Sequence, residues 1–115
     1  MNDCIFCMII NNKIPSKKVY ENEKVLAFED IAPQAPIHVI IIPKVHVLES
    51  IEDITKENVS IISEIMLAAK KVAKIKGVSQ NGYRLINNCG KGAGQTVNHL
   101  HFHFIAGKDL GEKIV

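Results

Sequence analysis

Hydrophobic and polar positions along the chain fall into blocks with two different periods. Residues 17–21 and 25–29 read as strands, joined by a tight turn at Asn22-Glu23-Lys24. Residues 31–37 contain Pro33 and Pro36 and read as a loop. Residues 38–42 are rich in β-branched side chains and stop at Pro43, the mark of a buried strand. The period then changes to that of a helix. Val59, Ile62, Ile65, Met66, Ala69, Val72 and Ala73 form one apolar stripe over residues 55–76, with Thr55 as the N-cap and Gly77 as the stop. Residues 82–87 give a fourth strand and 99–105 a fifth, and residues 4–11 suit a short helix. Mostly strands with one long helix inserted between the third and fourth predicts an α+β fold with an antiparallel sheet. Residues 39–42, with Leu100, Phe102 and Phe104, are expected to form the core beneath the long helix.

The fifth strand carries the chemistry. His99, His101 and His103 alternate with Leu100, Phe102 and Phe104, so the three imidazoles share one face. Each imidazole has two nitrogens to satisfy and titrates near neutrality, which makes such a row a poor way to build a core. The plainer alternative is a histidine ladder satisfied by neighbouring strands. Spacing limits metal chemistry: alternate residues lie about 6.6 Å apart, so His99 and His103 are about 13 Å apart, while zinc–nitrogen bonds are about 2.0–2.1 Å. Two neighbours can bend onto one ion, and at least one histidine is left for other work. Just upstream, Gly90-Lys91-Gly92-Ala93-Gly94-Gln95-Thr96 offers glycine-exposed backbone N–H groups beside a lysine, an amide and a hydroxyl, a composition suited to phosphate.

Cys4 and Cys7 stand three residues apart and face one way on a helix or tight turn. A redox dithiol normally follows a strand, and nothing precedes this pair, so a zinc half-site is favoured. His38, His46 and one end of the histidine row are the available completing ligands. His38 and His46 flank the third strand and are expected at its opposite ends, so one of them completes a Cys₂His₂ set. A filled tetrahedron is structural, with no open position for substrate.

Composition narrows the class. At 115 residues the chain reads as one domain, 1–115, with 47% apolar and 23% charged residues, ordinary for a globular protein. A net charge of +2 does not argue for a nucleic-acid or membrane partner. Lys70, Lys71, Lys74 and Lys76 cluster late in the long helix, where cations suit its C-terminal end. The N-terminus lacks a basic flank followed by a long apolar stretch, so no targeting segment is read. Three cysteines do not suggest a disulfide scaffold, and a reducing, cytoplasmic setting is expected.

Taken in order, these elements resemble the histidine-triad (HIT) superfamily, specifically its histidine-triad nucleotide-binding (Hint-like) branch. The resemblance rests on Cys4-Ile5-Phe6-Cys7 with Ile14-Pro15, Leu26-Ala27-Phe28-Glu29-Asp30-Ile31, Ala35-Pro36-Ile37-His38, Ile42-Pro43-Lys44-Val45-His46, and Gly94-Gln95-Thr96-Val97-Asn98-His99-Leu100-His101-Phe102-His103. It covers nearly the whole chain and implies a HIT-like fold: a five-stranded antiparallel sheet, one long helix and a short N-terminal helix. It also implies hydrolysis at the α-phosphorus of purine nucleotides, typically of P–N bonds in nucleoside phosphoramidates or aminoacyl adenylates, releasing AMP or GMP. His101 matches the nucleophile that becomes a nucleotidyl-histidine. Asp30 matches the ribose-binding position; Ile14, Phe28 and Ile31 match the base pocket. Asn88, Gln95, Thr96 and His103 match phosphate contacts, and His38 matches a fourth histidine near the nucleophile. Cys4, Cys7, His46 and His99 match the ligands of a structural zinc in bacterial-type members. No organic cofactor is implied, and a homodimer with one continuous sheet is.

The chemistry of the residues agrees. An imidazole nucleophile needs one unprotonated nitrogen aimed at phosphorus and a fixed partner for the other. His38, His101 itself and water are the candidates for delivering a proton to the leaving amine. Asp30 also suits a loop-capping role. The chain departs from many Hint-like relatives in having no tryptophan and in ending Asp109-Leu110-Gly111-Glu112-Lys113-Ile114-Val115, where an aromatic often shapes the leaving-group side. Cys89, beside Asn88, is read as an incidental small residue, with an oxidation-sensitive thiol as the alternative. Three other functions compete: a dinucleoside-polyphosphate hydrolase of the fragile-histidine-triad branch, a nucleotide-binding partner protein with incidental catalysis, and a metal hydrolase using the triad as catalytic ligands.

Overall fold

The computed structural model describes residues 4–115. The reading of a leaderless N-terminus falls partly on residues 1–3, which lie outside the described residues. Helix α1 spans Ile5–Ile10, β1 Lys18–Glu21, β2 Val25–Glu29, β3 Ile37–Pro43, α2 Ser60–Lys76, β4 Arg84–Ile86 and β5 Phe102–Ala106. The five strands form one antiparallel sheet in the order β1-β2-β3-β5-β4. The first hairpin is set by Asn22, whose Oδ1 accepts the Lys24 and Val25 N–H groups at 2.8 and 2.9 Å. β3 is central, pairing Ile40 with Phe28 on one side and with His103 on the other.

The sheet has two different faces. Against α2 lie Val25, Ala27, Val39, Ile41, Leu100, Phe104 and Ala106, packed on Ile65, Ala68, Ala69, Val72 and Ala73. On the opposite face Leu26, Phe28, Ile40 and Ile42 pack on Phe6 and Ile9 of α1. The single core expected for residues 39–42 is therefore split: alternation sends Val39 and Ile41 under α2, and Ile40 and Ile42 under α1.

Three elements differ from the sequence reading by two residues or more at an end. α2 begins at Ser60, not Thr55. Residues 55–59 form turns instead: Asn58 Oδ1 accepts the Thr55 N–H at 2.7 Å, and the Val59 N–H reaches the Thr55 carbonyl at 2.9 Å. Thr55 caps nothing, and Val59, expected in the buried stripe, is exposed. The far end is as expected, with Gly77 left-handed at φ 73° and its N–H on the Ala73 and Lys74 carbonyls. β4 shortens to three residues. β5 begins only at Phe102, because the Leu100 N–H bonds outside the sheet, to the Leu48 carbonyl at 2.9 Å. His99 and His101 thus precede the ladder, and His103 lies within it.

Candidate active site and metal centre

Each histidine of the row has one nitrogen held by a hydrogen bond, which assigns its tautomer. His99 donates Nε2–H to the Pro43 carbonyl at 2.9 Å, leaving the Nδ1 lone pair free. His101 donates Nδ1–H to the His99 carbonyl at 2.8 Å, leaving the Nε2 lone pair free. His38 accepts the Gln34 N–H on Nδ1 at 3.0 Å, so its proton is on Nε2. That Nε2–H lies 2.9 Å from His103 Nδ1 and 3.4 Å from Asp30 Oδ2. Accepting on Nδ1, His103 carries its own proton on Nε2.

Burial moves the row in one direction. His99, His101 and His103 are all held below the ordinary histidine value of 6.5, in each case mainly by burial, which disfavours the charged ring. For His101, the His99 carbonyl and the Asp30 charge pull the other way. For His103, the neighbouring His101 and His38 lower it further, and Asp30 opposes them. The neutral imidazole is therefore the favoured form around pH 7.

His101 and His103 open onto a cavity of about 470 Å³ between α1, the β2–β3 loop and the loop before β5. Ile14, Phe28 and Ile31 give it an apolar wall, and Asp30, Asn88 and Thr96 a polar one. Asp30 also does the loop-capping work, since its Oδ1 accepts the Ala32 N–H at 2.8 Å. Two expected contacts are not on the wall. His38 sits behind His103, and Gln95 braces the glycine-rich loop through the Gly90 N–H and the Glu49 and Val97 carbonyls at 2.7–3.0 Å. The glycines serve that loop's shape: Gly94 closes its short turn at φ 91°. A hollow of about 560 Å³ beside Arg84 and Lys108 is larger but is lined by no histidine or cysteine.

Sequence reasoning missed Phe6. Its ring meets His101 edge-on at 5.1 Å, His99 at 5.8 Å and Phe28 at 5.7 Å, and it lines the cavity. The signal was available in its place between the two cysteines, which puts it on the helix that carries them.

At the other end of the row the two cysteines meet two histidines. Cys4 Sγ lies 3.5 Å from His99 Nδ1; Cys7 Sγ lies 3.7 Å from His99 Nδ1 and 3.0 Å from His46 Nδ1; the two Nδ1 atoms are 3.1 Å apart. A tetrahedral zinc with bonds of about 2.0–2.3 Å has ligand–ligand edges of about 3.4–3.8 Å. The donor set fits that ion after a small expansion at His46. His99 meets the further requirement of a backbone carbonyl on its remote nitrogen. Without a cation, burial and then the Cys4 thiol push the Cys7 thiol up to about 11, the opposite of what a thiolate ligand needs, and a bound cation reverses this. His38 is at the far end of β3, as expected, and takes no part. Asp30, His38 and His103 are also mutually close, but their shortest contact has hydrogen-bond length.

A small α+β sheet thus presents a free imidazole nitrogen to a half-apolar cavity. The comparisons agree on the family. The model described as "Scavenger mRNA decapping enzyme C-term binding" matches residues 3–113. A HIT family hydrolase from Clostridium thermocellum is 49% identical with a TM-score of 0.97, covering 100% of this chain and 99% of that one. A histidine triad protein from Clostridium difficile is 50% identical with a TM-score of 0.94, covering 98% and 97%. The purine nucleoside phosphoramidase of Escherichia coli is 39% identical over 109 residues, 95% of this chain and 91% of that protein. The chain belongs to the HIT family of hydrolases.

Proposed function

We propose that this hydrolase cleaves P–N bonds of purine nucleoside phosphoramidates or aminoacyl adenylates through a covalent nucleotidyl-histidine on His101, releasing AMP or GMP. The observation that carries the reading is the 2.8 Å bond from His101 Nδ1–H to the His99 carbonyl, which leaves Nε2 unprotonated at the cavity wall. The name of the E. coli relative supports the substrate class.

The base lies against Ile14, Phe28 and Ile31, and Asp30 takes the ribose hydroxyls. Asn88, Thr96 and the His103 Nε2–H hold the phosphoryl oxygens, with the Gln95-braced loop behind them. The Nε2 lone pair of His101 bonds to the α-phosphorus and the P–N bond breaks. The leaving nitrogen departs as an amine, taking its proton from a water in the cavity. Water then attacks the phosphorus, the Nε2–P bond breaks and one proton returns to solvent. Positioned proton transfer of this kind contributes about 10²–10⁴-fold.

Cys4, Cys7, His46 and His99 hold a structural zinc, which when bound crosslinks α1 to the segments after β3 and before β5. β4 is an edge strand, and pairing with a second copy there makes a homodimer with a continuous sheet. Among the described residues no helix is long and apolar enough to cross a membrane, which accords with a cytoplasmic enzyme.

Intact-protein mass measurement during turnover of adenosine phosphoramidate tests the mechanism. A transient adenylyl adduct is expected on the wild type and absent in His101→Ala. AMP release with no adduct in rapidly quenched samples, abolished by a chelator, overturns it in favour of metal hydrolysis.

A further inference from the structure

β4 ends at Ile86, and its last rung with β5 pairs Ile86 with His103. Main-chain pairing therefore stops short of His101. A side chain supplies the next bond: Asn87 Nδ2 donates to the His101 carbonyl at 2.9 Å. Only the nitrogen end of the amide can do this, because Oδ1 in its place would face another oxygen. The consequence is an Asn87 Oδ1 that is buried with no hydrogen-bond partner among the described residues.

An unmatched buried carbonyl opposes folding; a leucine of similar volume removes it but takes this partner from the His101 carbonyl, so in stability the two changes offset each other. The chain bears this cost at the residue whose amide holds the carbonyl of His101. His101 is then gripped at two points: its ring through the His99 carbonyl and its main chain through Asn87. Its main chain lies beyond the β4–β5 ladder, so a freed carbonyl lets the peptide tilt and swings Nε2 off its line to phosphorus. In-line attack is sensitive to small displacements.

We propose that Asn87 is a positioning residue that aims the His101 nucleophile. Asn87 does not line the cavity, so it acts through His101. The inference deepens the covalent reading above and rests on it.

The experiment measures the rate of adduct formation from adenosine phosphoramidate, AMP affinity and melting temperature in the wild type, Asn87→Leu and Asn87→Asp. Asn87→Leu is expected to slow adduct formation about tenfold, the worth of one well-placed hydrogen bond, with AMP affinity within about twofold and a nearly unchanged melting temperature. Asn87→Asp, which presents only acceptors to the carbonyl at neutral pH, is expected to be at least as slow. A wild-type rate in Asn87→Leu overturns the proposal. So does a parallel loss of rate, affinity and melting temperature in both variants, which marks a merely structural role. Failure of the covalent reading shows separately, as no adduct on the wild type. In that case the His101 Nδ1–H proton resonance decides: it is expected in the wild type and broadened by solvent exchange in Asn87→Leu, and an identical resonance in both overturns the proposal.

Discussion

The two ends of the histidine row have the same residue type, the same sheet face and the same lowered pKa, and they do different things. At one end His99 points Nδ1 at two thiols and a second imidazole. At the other, His101 and His103 point their free groups into a cavity. Backbone alternation accounts for the shared face and nothing more. The difference lies in which nitrogen is already taken. Pro43 takes Nε2 of His99, so Nδ1 is left to coordinate. The His99 carbonyl takes Nδ1 of His101, so the Nε2 lone pair is left facing the cavity. His99 therefore belongs to both ends: its ring faces the two thiols, and its carbonyl fixes the ring of the proposed nucleophile.

Breaking the metal end is expected to have the largest effect. Structural zinc sites contribute apparent energies of about 10–16 kcal/mol in small peptides. In this chain the apolar core under α2 does not depend on the site, so the loss is smaller. Cys7→Ser, or zinc removal by a strong chelator, is expected to cost about 4–5 kcal/mol, a fall in melting temperature of about 15–20 °C. Elemental analysis should find one zinc per wild-type chain. A metal-free wild type with the same melting temperature as Cys7→Ser would remove the contrast between the two ends.

The pocket end is sharpened by a smaller change. His38 is buried, does not line the cavity, and contacts His103 Nδ1 at 2.9 Å. His38→Gln is expected to lower turnover about a hundredfold by disordering the His103 proton. AMP affinity should hold, and adduct should still form, slowly. Equal losses of turnover and affinity would instead place His38 among the binding contacts.

Much of this architecture was legible in the chain. The hairpin at Asn22, the buried β3 and the Gly77 stop each have a local cause that sequence displays. The start of α2 was not legible, because the Asn58 side chain draws Thr55 into a turn that competes with capping. The late start of β5 depends on Leu48, far away in sequence. The residues alone left His38 and His46 both open as completing ligands, and only the resemblance paired His46 and His99 with the cysteines, since spacing along a chain does not say which ring nitrogen a distant carbonyl occupies. Phe6 and Asn87 were passed over for a related reason: nothing in a phenylalanine or an asparagine shows that it touches His101. Gln95 was assigned to phosphate from its loop, whereas its amide is spent holding that loop together.

The smallest expected effect concerns pH, and it tests whether the pocket end is held neutral by the fold. His101 and His103 lie below 6.5 when folded, chiefly through burial, and return to about 6.5 when unfolded. Between those values the unfolded chain binds more protons, so stability rises with pH there. The contribution is complete above pH 6.5 and is lost as pH falls through the folded values. Turnover follows the same sense, because a proton on His101 Nε2 removes the nucleophile. The activity plateau should therefore extend below pH 6.5 before it falls. Acid also protonates the zinc ligands, so the two sources must be separated. His103→Gln removes one depressed group and leaves Cys4, Cys7, His46 and His99 intact. Between pH 7.5 and about pH 5 the wild type is expected to lose more in melting temperature than His103→Gln, because only the wild type carries the depressed His103. Parallel melting curves for the two proteins would assign the acid sensitivity to the metal end alone, and the burial of His103 would then have no energetic consequence.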